Sequence, residues 1–144
     1  MDGAQEVGAR RCNELLAYFG KNGMPGTLLE GENIFYLCAD GDYLEDQNFF
    51  VEVCGDTHVL VTARVVLSSE SLPRAKLLET CNYINEKFNW MKAVIGDEEC
   101  TSVLFVLQIP TLVTEWEDLS FSLTEVFMRY VDDASGILAE VMLA

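Results

Sequence analysis

One histidine in 144 residues leaves little room for acid–base catalysis near neutral pH. His58 follows Asp56 and Thr57 at a turn, where a solvated side chain is the expected reading rather than a general base. The five cysteines, Cys12, Cys38, Cys54, Cys81 and Cys100, are odd in number and widely spaced, with no Cys-x-x-Cys pair. Neither a zinc site nor a disulfide framework fits that pattern, and among apolar neighbours a free thiol behaves as a small hydrophobe. The stretch Asp40-Gly41-Asp42-Tyr43-Leu44-Glu45-Asp46 holds the oxygens a calcium ion would want. It lacks the order of a calcium loop, and strand-like flanks make it a solvated hairpin tip instead. There is no nucleophile elbow, phosphate loop, dinucleotide fingerprint or His-Glu-x-x-His. No catalytic residue, metal ligand or cofactor is therefore expected. An enzyme built on carboxylates stands as the alternative from another class, because acids abound and their separation in space is not readable.

Charge narrows the partners. Asp and Glu number 24 against 9 Lys and Arg, a formal net charge of -15. No cation occurs between Lys21 and Arg64, or between Lys92 and Arg129. Phosphate recognition needs cations, so nucleic acid and anionic membrane are poor partners. A basic or amphipathic protein segment suits this chain better. No apolar run is long enough to cross a bilayer, and the start has neither a basic leader nor an apolar signal segment, so a cytoplasmic location is expected. Half of the residues are hydrophobic, enough for a folded core, and one domain spanning residues 1–144 is expected.

The elements that position these residues follow from periodicity. Residues 3–20 predict a helix, with Asp2 and Gln5 as a capping box and Cys12, Leu15, Leu16 and Phe19 as its apolar stripe. Strands are expected at Asn33–Ala39, Asn48–Cys54 and His58–Leu67, with Thr27–Glu30 a short strand or part of the next. In the third, Val59, Val61, Ala63, Val65 and Leu67 share one face, the pattern of an antiparallel sheet covered on one side. A second helix opens at Ser71 with Pro73 in its first turn and the stripe Leu77, Leu78, Cys81, Ile84, Phe88. Trp90–Ile95 and Cys100–Leu112 read as a hairpin. A long final helix starts at the Thr114–Glu117 capping pattern or at Ser120. The order is α-β-β-β-α-β-β-α, a mainly antiparallel α+β fold with no βαβ repeat.

The final helix carries Leu123, Phe127, Tyr130, Ala134, Ile137 and Val141 as a narrow seam. Beside it lie Val126, Val131, Leu138 and Met142. If one stripe covers the domain's own sheet, the other is a surface for a partner, and a homodimer is expected there; the alternative is one wide face buried in the chain's own core.

The most distinctive stretch is Leu77 to Ile95. Asn82 and Asn85, three apart near a helix end, suit bonds from the helix to the connection that follows. The Leu-Leu-x-x-x-Asn-x-x-Asn run, followed by Trp90 and Lys92 in a hairpin strand, resembles the YbjN family of bacterial proteins. That family is labelled a sensory-transduction regulator and shares its architecture with the small, acidic class I chaperones of type III secretion. The resemblance implies a chaperone-like fold, no enzymatic activity, and an adaptor, chaperone or regulator that binds a protein segment. It assigns Asn82, Asn85, Trp90 and Lys92 a structural part in the motif. The mechanism expected is capture of an extended or amphipathic peptide on a sheet edge or apolar groove, with a dedicated secretion chaperone as the alternative.

Overall fold

The computed structural model describes residues 3–29, 31–55, 57–67, 72–110, 118–119 and 122–143, and the side chains among them from Val7 to Met142. Helix α1, Gly3–Lys21, buries Cys12, Leu15 and Phe19 at the spacing of one helical face. Gly23, at φ 86°, turns the chain out of the helix in the left-handed region where an added side chain is strained. The Asp2–Gln5 cap lies outside the described side chains.

Six strands follow: β1 Thr27–Leu28, β2 Ile34–Ala39, β3 Gln47–Cys54, β4 His58–Val66, β5 Lys92–Ile95 and β6 Ser102–Pro110. They form one antiparallel sheet in the order β1-β2-β3-β4-β6-β5. Alternation along each strand sends Phe35, Leu37, Phe49, Val51, Val59, Val61, Phe105 and Leu107 into the core. The register aligns them across strands, as in the row Phe35, Val51, Val61, Leu107. Burial of each such phenylalanine is worth roughly 1.5–3 kcal/mol.

Helix α2, Arg74–Lys87, crosses from β4 to β5. Pro73 stands at its N-cap rather than inside its first turn, and no side chain caps it; Ser71 lies outside the described residues. Leu77, Thr80, Cys81 and Ile84 are its buried positions. Leu78 is exposed, a departure from the expected stripe, and Thr80 takes its place by returning its hydroxyl to the Lys76 carbonyl at 2.8 Å.

The C-terminal helix is not α-helical throughout. A π-helical turn, Ser122–Phe127, leads into α3, Met128–Leu143. The wider turn lets the consecutive residues Phe127 and Met128 both face the core. The Thr114–Glu117 cap falls outside the described residues. Along α3 the core side is Val131, Ala134 and Leu138, with Tyr130, Ile137 and Met142 packed at its flank. Val131 and Leu138 are 0% and 2% exposed, so they are not a partner surface. The two expected stripes merge into one broad face on the chain's own sheet, leaving Val126 and Met142 half-buried.

Candidate protein-binding surface

The buried hydrophobic residues of each strand share one parity, and helical residues join them in one hydrophobic cluster, so α1, α2 and α3 lie on the same side of the sheet. No described element covers the other side. Register builds that open face row by row. Thr27, Tyr36, Phe50, Thr62, Val106 and Lys92 stand in line across all six strands. One row along lie Ile34, Glu52, Leu60 and Gln108, and on the other flank Arg64, Leu104 and Val94. Tyr36 and Phe50 touch as a tilted pair with centroids 5.7 Å apart. Tyr36, Phe50, Leu60, Leu104 and Val106 are half-buried, while Val66 and Val94 are exposed. The result is a contiguous apolar field crossed by few charges.

The edges of this sheet are not equivalent to its face. On β5, the side-chain amide of Asn85 donates to the Ala93 carbonyl at 3.0 Å and accepts from the Ala93 N–H at 2.6 Å. One asparagine from α2 thus occupies the outward backbone pair that a further strand would use. At the opposite edge β1 is two residues long. The expected capture of a peptide on a sheet edge has little backbone to work with at either side.

The hairpin tips are acidic and internally ordered. Between β2 and β3, the Asp132 carboxylate of α3 accepts from the N–H groups of Asp42, Tyr43 and Leu44 at 3.0, 2.9 and 3.1 Å. Gly41 is needed there, since a Cβ would stand 2.4 Å from the Asp132 carboxylate. The loop therefore turns N–H groups toward an anion, the reverse of calcium chemistry. Among the described residues no group of three His, Cys, Asp or Glu is placed to hold a metal ion. Between β5 and β6, Asp97 accepts from the hydroxyl and N–H groups of both Thr101 and Ser102. These bonds, led by the Thr101 hydroxyl, hold its pKa down to about 2.

The residues singled out from sequence are scattered. Asn85 bonds β5, whereas Asn82 is exposed and has no side-chain hydrogen bond among the described residues. Trp90 is 57% exposed ahead of β5, and Lys92 ends the central row of the open face. His58 meets the Thr57 hydroxyl through Nδ1 at 2.8 Å. All five cysteines are free, and burial pushes the Cys12 and Cys81 thiols up, away from nucleophilic use. Cys38 is exposed, unlike the apolar setting expected for it. Sequence reasoning passed over Tyr36, Phe50, Leu104 and Val106. The signal was the unbroken apolar runs Phe49-Phe50-Val51 and Val103–Leu107, which put apolar side chains on both faces of a strand.

Neither a protein-family model nor a curated protein sequence matches the chain. Solved structures do. YbjN from E. coli superposes with a TM-score of 0.62 at 12% identity, covering 91% of this chain and 90% of that one. The ExsC-ExsE complex contains a chain with a TM-score of 0.62 at 18% identity, covering 85% and 90%. An uncharacterized protein from Methanothermobacter thermautotrophicus gives 0.61 at 15%, covering 93% and 98%. The chain has a YbjN-like α+β fold, shared with a chain of the ExsC-ExsE complex.

Proposed function

We propose that this protein is a non-enzymatic adaptor or regulator of chaperone-like type that binds a segment of another protein on the open face of its sheet. The observation that carries the reading is the apolar field centred on Tyr36, Phe50, Leu60 and Val106, left uncovered by the described elements. Contiguous apolar surface of that kind marks interaction sites on folded proteins. The fold likeness to the ExsC-ExsE complex supports a protein client, and it favours a dedicated secretion chaperone as the second reading. A cytoplasmic setting accords with free thiols and with the lack, among the described residues, of a helix long and apolar enough to cross a membrane. Self-association belongs to the same reading. Its contact would use the half-buried Val126, Ile137, Val141 and Met142 rather than the core residues Val131 and Leu138.

The test replaces Phe50 and Leu60 together with Ser. Both project from the open face, so circular dichroism should stay native. Affinity capture from the native cell, read by mass spectrometry, should return a recurring protein client with the parent chain and lose it with the variant. Equal capture by both chains, or a melting-temperature shift with small metabolites and no protein client, would count against the reading.

A further inference from the structure

We propose that the partner segment is an amphipathic helix with lysine or arginine at one end, lying along the strands with that end over the hairpin tips 40–46 and 97–99. The inference rests on the protein-binding reading above and adds the partner's form, charge and direction.

Form comes from what the sheet leaves free. A strand partner needs an unpaired edge, and Asn85 occupies the outward pair of β5 while β1 offers two residues. A sheet face is covered by helices or by another sheet. A second copy of this chain brings another -15 of charge to the contact, which disfavours it as the occupant. A helix remains. The face is nine residues long at β4, roughly 30 Å at strand spacing, and a helix of about 18 residues spans about 27 Å.

Direction comes from register. Ala39 pairs with Gln47 and Ile95 with Val103, while Val66 of β4 pairs with Ser102, so the β2–β3 and β5–β6 tips lie at the same end of the sheet. Cys54, His58 and Pro110 pair at the other end. The tips carry seven acidic residues and no Lys or Arg, against three acidic residues in the connections 29–33 and 55–57, with Asp118 beside Gln108 and Pro110 as a fourth at that end. Asp40 and Asp97 are engaged by their own loops, but Asp42, Glu45, Glu98 and Glu99 are exposed. Asp132, bound to the first tip, and its neighbour Asp133 on α3 add to the same end, where Arg129 lies beside Asp42 and Arg64 donates to the Gly96 carbonyl at 2.9 Å, leaving the end acidic on balance. Apolar contact along the face would supply affinity, and this charge asymmetry would set orientation.

The probe is an 18-residue helical peptide with leucines on one face and four lysines in its last turn, where cations also complement the helix dipole. It is prepared with a nitroxide at either terminus and added to ¹⁵N-labelled protein. The label at the lysine end should broaden amides at 41–46 and 97–101, and the label at the other end those at 54–58 and 107–109. The variant Asp42→Asn, Glu45→Gln, Glu98→Gln, Glu99→Gln should bind about tenfold more weakly at low salt and lose most of the salt dependence. Equal broadening at both ends from either label, or unchanged affinity in the variant, overturns the inference while leaving binding at the open face standing. A peptide that perturbs no amide of the Tyr36–Phe50–Val106 row overturns this inference and counts against the open-face reading as well.

Discussion

Asn85 sets both halves of its amide against one residue, Ala93, eight positions on. Its neighbour in the motif, Asn82, lies on the exposed side of the same helix. Both were expected to tie the helix to the connection that follows, and only Asn85 does, because three residues turn Asn82 about 60° away around the helix. Asn85→Ala should cost roughly 1–3 kcal/mol and speed hydrogen exchange at the Ala93 amide, whereas Asn82→Ala should stay within about 0.5 kcal/mol. Urea denaturation and exchange measurements check both, and equal effects at the two positions would refute the assignment. Asp97 was counted only as charge, yet its bonds to Thr101 and Ser102 hold its pKa at about 2, below the ordinary 3.8. A carboxylate depressed in the folded state stabilises above its unfolded pKa and loses that contribution as pH falls through the folded one. The β5–β6 tip should therefore keep its order at pH 4 and loosen between about pH 3.8 and 2. In Asp97→Asn that step should vanish from the amide shifts of Thr101 and Ser102.

Strands announced themselves by alternation, and β2, β3, β4 and β6 were legible to within a few residues. The C-terminal helix was legible as an element and misread as a surface. Its apolar residues were sorted into two stripes on the assumption of uniform 3.6-residue turns, and the π-helical turn at Ser122–Phe127 breaks that assumption before α3 begins. A widened turn has no composition that marks it. Val131, fully buried on α3, shows the consequence. Val131→Asp should not loosen a dimer with the fold intact; an unpaired charge at that depth should cost on the order of 3–5 kcal/mol and unfold much of the population. Met142→Asp, at a half-buried position, is the contrast that should leave a native spectrum. Native-like circular dichroism for Val131→Asp at ambient temperature would show the packing of α3 to be otherwise.

At the scale of the molecule, sequence gives the sum of charges but not where they gather. The carboxylates of residues 40–46 and 97–99 are far apart along the chain, and only the strand order β3-β4-β6-β5 brings both turns to one end. The open face was half legible, since a singly covered sheet was expected from β4, while Tyr36 and Phe50 went unremarked until pairing placed them together on the uncovered side. The clasp of Asp132 on residues 42–44 joins positions 88–90 apart in sequence, and it bears on the order in which the fold can be completed. Closing so long a loop has little local reward, so that bond forms late. During synthesis the β2–β3 hairpin emerges long before its carboxylate partner does. Until α3 leaves the ribosome, the amides of the hairpin face water and the sheet lacks its last helical cover, so the newly made chain passes through a stage in which part of its covered face is bare as well as its open one.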